Sequence, residues 1–179
     1  PDGKIRLAWQ VMNNNGGLAA DGTLTAGTIT AGAVNSMKPL DNTHRTNFLT
    51  FTNGLKTGNN TPSHKMMKQA YDYMKVGKSI NSPWAATPGT TEQPYFSCRR
   101  SYHIFMTDGA WNGQTASQRP GEVDNVSATL PDGTLYDINS PQTNVYRGAT
   151  SNLLADWAMK MWREDLQSDI DNNIKPSTT

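Results

Sequence analysis

The sequence predicts an α/β fold, an open sheet flanked by helices, and three observations support that class. A segment near the start alternates apolar and polar side chains, a later apolar run stops at an Asp-Gly turn, and three stretches carry apolar residues at helical spacing. In chain order the elements are strand, strand, helix, helix, strand and helix, which is typical of an α/β domain. Because no repeat and no linker divides residues 1–179, we expect one domain with long loop insertions.

The strands are predicted from side-chain alternation and from apolar runs. Residues 4–12 have apolar side chains at every second position, and the threonine-rich stretch 23–30 is a candidate edge strand. Residues 102–107 form a short, mostly apolar run that is rich in β-branched and aromatic residues and stops at Asp108-Gly109, as a buried parallel strand does. Ligands of open α/β sheets bind outside the carboxyl ends of such strands, so Thr107 and Asp108 point to a site. The alternative is an ordinary turn after a strand.

Three helices are predicted, over residues 43–56, 62–76 and 152–173. The second begins at Thr61-Pro62, since threonine suits an N-cap and proline suits the first helical position. The third has the clearest apolar stripe, which is more typical of a core-facing helix than of a ligand site. Its members are Leu154, Trp157, Ala158, Met161, Trp162, Leu166 and Ile170.

The loops are unusually long. Residues 79–96 are rich in Pro, Thr and Ser, and the insertion 110–150 shows little periodicity. Loops of this length inside a domain are either functional or a sign that an element has been missed.

Composition excludes several functions. The chain has 16 basic and 15 acidic residues with no basic cluster beyond Arg99-Arg100, so binding of nucleic acid through phosphate contacts is unsupported. No apolar run is long enough to span a membrane.

Catalytic motifs are also missing. There is no G-x-S-x-G elbow, no P-loop and no G-x-G-x-x-G. The histidines at positions 44, 64 and 103 lack the spacing of zinc ligands. We therefore expect that the protein is not an enzyme; a metal-dependent hydrolase would need a base near Asp108, and the sequence shows none.

A cation site and a lone cysteine are the remaining chemical features. Thr61 and Asp108 each place an oxygen at the end of an element, and Mg²⁺ prefers such ligands. Cys98 forms a disulfide with a residue outside these 179, or is a thiolate favoured by Arg99 and Arg100, or is a plain structural thiol. The start at Pro1 without a methionine leads us to expect a fragment or a processed product.

Two resemblances give these features a context. The run Met106-Thr107-Asp108-Gly109 after an apolar strand, with Thr61-Pro62 opening an earlier helix, resembles the von Willebrand factor A fold, which is Rossmann-like. The block CRRSYHIFMTDGAWNG at 98–113, with segments 130–136 and 154–173, looks like the PilY1/PilC family. Those proteins are tip-associated adhesins and biogenesis factors of type IV pili in Gram-negative bacteria. The likeness runs from Lys4 to about Lys175.

The resemblance implies a binding module at the pilus tip or outer surface, associated with the outer membrane. It implies roles in surface adhesion, pilus assembly and twitching motility, with minor pilins as partners and a host-surface or extracellular-matrix ligand. Its metal-ion-dependent adhesion site would hold Mg²⁺ or Mn²⁺, with Thr61 and Asp108 as ligands. The D-x-S-x-S loop that completes such a site is absent here, so we expect no cofactor in this fragment alone.

The same resemblance implies that the sheet is truncated at both ends. In the family's strand order, 3-2-1-4-5-6, the D-x-S-x-S strand lies between the strands matching 4–12 and 102–107. We therefore expect the rest of the parent protein to supply the missing strand, because unpaired buried backbone is costly. Direct pairing of 4–12 with 102–107 would contradict this hypothesis. The alternative function is a structural A-type domain that packs within a pilus-tip assembly and binds neither metal nor host ligand.

Overall fold

The computed structural model describes residues 5–11, 17–18, 24–25, 32–55, 60–96, 99–107 and 109–171, and the structural statements below concern these ranges. At 17–18 and 24–25 it describes the backbone only. The predicted site residue Asp108 and the cysteine Cys98 lie outside the described residues.

Three helices are the main elements of the structure. Helix α1 covers Asn42–Asn53, α2 covers Ser63–Met74 and α3 covers Leu154–Arg163. Helices α2 and α3 lie within their predicted spans, α1 begins one residue before its span, and each helix is shorter than predicted. Two short 3₁₀ helices, Ala116–Gln118 and Pro141–Tyr146, lie in the insertion. In the described part of the chain no helix combines the length and the apolar character that crossing a membrane requires.

Helix α3 ends earlier than the apolar stripe predicts. The stripe continues to Leu166 and Ile170, but the carboxylate of Asp165 accepts a hydrogen bond from the backbone N–H of Gln167 at 2.9 Å. A short acidic side chain that bonds to the backbone two residues on favours a turn over a helix. The Gln167 side chain then donates to the Val76 carbonyl at 2.9 Å, so the chain folds back onto the end of α2.

The described strands form three separate two-stranded antiparallel ladders. They pair β1 (Arg6–Leu7) with β4 (Lys38–Pro39), β2 (Gly17–Leu18) with β3 (Leu24–Thr25), and β5 (Ala128–Thr129) with β6 (Leu135–Tyr136). Within the described part of the strand predicted over 4–12, only the two residues of β1 belong to a ladder. Its partner is β4 and not the segment 102–107, so the hypothesis of a missing strand between them is not contradicted. The open-sheet fold class stays a prediction.

The buried strand predicted over 102–107 is not found. Residues 99–107 belong to no ladder, and no backbone hydrogen bond joins them to another described segment. Tyr102, Ile104 and Met106 are 82%, 83% and 82% exposed. An apolar run becomes a buried strand only where neighbouring strands cover it, and the described residues supply none.

Two apolar clusters position the helices. Trp9 packs on Phe51 of α1 with ring centroids 5.9 Å apart, and both rings are buried. Helix α2 packs against α3, where the rings of Tyr71 and Trp157 lie 5.5 Å apart. Partly buried residues pack around the first cluster, namely Leu7, Val11, Val34 and Phe48.

The insertion 110–150 has a small core of its own. Val123, Leu130 and Tyr136 are 2%, 4% and 4% exposed, and the Tyr136 hydroxyl donates to the Asp124 carbonyl at 2.7 Å. The β5–β6 turn places Gly133 at φ +84°, a conformation that favours glycine. The sequence shows little periodicity here because the ladder strands are two residues long.

Candidate functional site

Thr61 is held against the loop that follows Asp108. Its backbone N–H donates to the side-chain carbonyl of Asn112 at 2.8 Å, and the Asn112 N–H donates back to the Thr61 carbonyl at 2.9 Å. Gly113 sits so close to Asn60 that a Cβ would meet the asparagine side chain at 2.9 Å. These contacts hold the residues just before α2 against the segment 109–113. In the sequence, the predicted ligand Thr61 lies just before α2, and the predicted ligand Asp108 lies just before residue 109. Asp108 itself lies outside the described residues.

The start of α2 differs from the prediction by one position. Pro62 occupies the N-cap and Ser63 the first helical position, so Thr61 precedes the cap and makes no capping bond. Proline has no side-chain oxygen to accept a capping hydrogen bond, and no side chain caps this helix. The Thr61 hydroxyl consequently makes no hydrogen bond to a described residue, which leaves it available to a ligand.

Ser63 and His64, which follow Thr61 closely in the sequence, carry buried polar groups that lack hydrogen-bond partners among the described residues. Ser63 and His64 are both 0% exposed. The Ser63 hydroxyl and both ring nitrogens of His64 have no hydrogen-bond partner among the described residues. Buried polar groups are normally paired, so these three atoms mark a local exception. His64 lacks the spacing of a zinc ligand in the sequence, and no other sequence signal singles it out.

His64 is kept neutral by its surroundings. Burial lowers the pKa of its imidazole, the charge of Arg119 lowers it further, and Asp156 opposes both. The ring packs edge-on against Trp111 with centroids 5.6 Å apart. Since Trp111 belongs to the loop after Asp108, His64 and Thr61 both contact that loop.

One acidic cluster joins the insertion to the start of α3. Glu122, Asp124 and Asp156 bring carboxylate oxygens within 4.8 Å of one another, with no ion in the structure. The Asp124 carboxylate accepts from the Gly148 N–H at 2.7 Å, so it serves an internal bond. Asp156 and Glu122 also accept backbone N–H groups. The cluster holds the insertion together, and we assign it no ligand.

The comparisons with known proteins identify relatives of the chain. It is 39% identical over 171 residues to the type IV pilus biogenesis factor PilY1 of Pseudomonas aeruginosa strain PAK, which covers 96% of this chain and 14% of that protein. The PilY1 proteins of strains PAO1 and UCBPP-PA14 are 36% and 33% identical, again over 96% of this chain. The chain spans about one seventh of the length of these curated relatives.

These relatives confirm the resemblance to PilY1 that the sequence analysis drew from segments 98–113, 130–136 and 154–173. No family model and no solved structure matches the chain. The likeness to the von Willebrand factor A fold therefore stays a prediction.

Proposed function

We propose that the chain is a binding module of a type IV pilus-associated protein of the cell surface. The observation that carries this proposal is the identity of 33–39% to PilY1 proteins over 96% of the chain. The module acts in surface adhesion, pilus assembly and twitching motility, at the pilus tip. Its partners are minor pilins and a ligand on the host surface or in the extracellular matrix.

The binding site of the module is a metal-ion-dependent adhesion site in an A-type domain. Thr61 and Asp108 supply ligands to Mg²⁺ or Mn²⁺, which prefer hydroxyl and carboxylate oxygens. Two features support this. The Thr61 hydroxyl is uncommitted among the described residues, and paired hydrogen bonds hold Thr61 to Asn112, four residues after Asp108. A carboxylate of the bound partner would complete the coordination of the ion.

The remainder of the sheet comes from the rest of the longer polypeptide. The support is the exposed segment 99–107, whose side chains Tyr102, Ile104 and Met106 are more than four-fifths exposed. Burying an apolar side chain of that size gains about 1.5–3 kcal/mol. A covering strand would also pair the backbone groups of the segment.

A structural domain that binds neither metal nor host ligand is the second candidate. The observation that favours it is the apolar surface of the insertion, where Leu135, Val145 and Tyr146 are 60%, 81% and 55% exposed. Such residues are suited to packing within a pilus-tip assembly.

Thermal melting with and without Mg²⁺ or Mn²⁺ tests the metal site. We expect the longer polypeptide that contains this chain to melt at a higher temperature with metal, since a ligand of the folded state stabilises it. Asp108→Ala and Thr61→Ala should abolish the shift, and the exposed Asp169→Asn should keep it. No shift in the unsubstituted polypeptide would contradict the metal site.

Piliated cells test the cellular role. Cells that carry Asp108→Ala should assemble pili and lose surface attachment. Normal attachment with Asp108→Ala would favour the structural candidate. Normal attachment, pili and twitching after deletion of the whole module would contradict both.

A further inference from the structure

Two arginines far apart in the sequence meet at one backbone carbonyl. Arg6 Nη1 donates to the Ala85 oxygen at 3.2 Å and to the Pro83 oxygen at 2.8 Å. Arg99 Nη1 donates to the same Ala85 oxygen at 2.9 Å, and its Nη2 donates to the Ala86 oxygen at 3.0 Å. Ala85 is fully buried, so the carbonyl that joins the two guanidinium groups is shielded from solvent.

Neither arginine has a carboxylate partner among the described residues. Ion pairs within the described chain join Lys68 to Asp72 and join Lys75 and Lys160 to Glu164, and none of these includes Arg6 or Arg99. Two like charges that share one neutral acceptor repel each other, and both are partly desolvated. Burial first, and then the charge of Arg99, lowers the pKa of Arg6 to about 10. Burial also lowers the pKa of Arg99.

Hydrogen-bond donors remain for a ligand. The Nε and Nη2 groups of Arg6 and the Nε group of Arg99 make no hydrogen bond within the described chain. The Tyr73 hydroxyl accepts from the Met37 N–H at 2.7 Å, which leaves its own proton to donate, and burial raises the pKa of this hydroxyl to about 12. Guanidinium groups match the two oxygens of a carboxylate in geometry and charge.

Arg99 also begins the exposed segment. From Arg99 to Thr107 the backbone makes no hydrogen bond to another described segment, and three apolar side chains at alternate positions face solvent. An extended peptide that pairs with this segment would bring its side chains past Arg99 at one end. A single acidic residue there would meet both guanidinium groups.

We infer that Arg6 and Arg99 form a receptor site for the carboxylate of an acidic side chain, carried by the extended segment of the longer polypeptide that covers residues 99–107. This inference rests on the proposed function, in which such a segment completes the sheet, and it names the contact that sets the register of that segment. The covering segment needs such a contact to fix its register, because a slip of one residue would turn every one of its side chains to the other face.

Amide hydrogen exchange of the longer polypeptide, compared with the 179-residue chain, tests the inference. We expect the amides of residues 99–107 to be protected in the longer polypeptide only. Arg6→Gln and Arg99→Gln should each reduce that protection at least tenfold, while Arg100→Gln, an exposed neighbour, should not.

The outcomes separate this inference from the proposed function. Protection that survives both arginine substitutions would overturn the carboxylate site and leave the covering strand standing. Absence of protection in the unsubstituted longer polypeptide would contradict the covering strand as well. Arg99→Lys keeps the positive charge and should therefore retain part of the protection. This control distinguishes loss of the carboxylate contact from loss of protection through unfolding. In NMR spectra of the 179-residue chain, the Nε–H signals of Arg6 and Arg99 should shift no more with acetate or phosphate than with chloride. A saturable shift with acetate or phosphate would indicate a small-anion site instead.

Discussion

The carboxylate of Asp156 accepts the backbone N–H of Val123 at 3.1 Å and so fastens the insertion to the first turn of α3. Its second oxygen accepts the N–H of Leu153, the N-cap residue of that helix, at 2.8 Å. Asp156 is 1% exposed. One buried side chain thus caps a helix and anchors a segment 33 residues earlier.

Asp156→Ala should therefore destabilise the fold. The substitution leaves two backbone donors unpaired, and each buried unpaired donor costs about 1–3 kcal/mol. We expect a loss of roughly 2–4 kcal/mol in the free energy of unfolding, measured by urea denaturation. The exposed carboxylate Asp171 is the matched control, and Asp171→Ala should change stability by less than about 0.5 kcal/mol. Equal effects at the two positions would show that the Asp156 bonds add nothing.

Two buried histidines should respond oppositely to the same substitution. His44 Nε2 bonds to the Leu7 carbonyl at 2.8 Å and its ring packs on Trp9, whereas both nitrogens of His64 lack partners in the described part of the chain. His44→Leu should cost about 1–3 kcal/mol, because it removes a bonded group. His64→Leu should leave stability unchanged or raise it, because it removes a buried polar group that is not bonded. A large loss with His64→Leu in thermal melts would mean that His64 has a partner.

The stability of the chain should fall as pH decreases below about 6.5, the unperturbed value for histidine. Burial lowers the pKa of His44 and of His64, so the folded state binds fewer protons than the unfolded state in this range. The free energy of unfolding then rises with pH up to the unfolded pKa and is level above it. Urea melts between pH 5 and 8 measure the slope, which His64→Leu should reduce. A flat profile across this range would contradict the lowered pKa values.

Substitutions in the exposed segment should leave the stability of this chain unchanged. Ile104 is 83% exposed, so Ile104→Asp removes no packing here. Phe51, which is 3% exposed, gives the contrast, and Phe51→Ala should cost about 3–5 kcal/mol. In the longer polypeptide we expect Ile104→Asp to be destabilising as well. Thermal melts of both polypeptides measure this, and a loss in the short chain would show that Ile104 is already buried.

The helices illustrate what local pattern can predict. A period of 3.6 residues brings the side chains that pack together within one turn of each other, so the sequence itself carries the information. The predicted spans 62–76 and 152–173 contain α2 and α3, and the span 43–56 overlaps α1, which begins one residue earlier. The predicted ends of the helices were less accurate, because turn-forming hydrogen bonds compete with the helix at its last turn. The bond from the Gln167 N–H to the Asp165 carboxylate is an example.

Of the candidate site, the sequence predicted only two residues that offer oxygen ligands, Thr61 and Asp108. Thr61 and Asp108 stood out because each follows or precedes a regular element. The pairing of Thr61 with Asn112 and the unpartnered His64 could not be inferred, since both depend on which loop packs against the start of α2. The likeness to PilY1 depended on residue identities and needed no geometry.

The sequence by itself determined the positions of the helices, the near-neutral charge and the relationship to PilY1 proteins. Only the tertiary structure decided that β1 pairs with β4, that Arg6 meets Arg99, and that Tyr102, Ile104 and Met106 face solvent. The physical reason is the range of the interactions. A helix satisfies its backbone within a few residues, whereas a strand or a charged pair needs partners that local sequence does not specify.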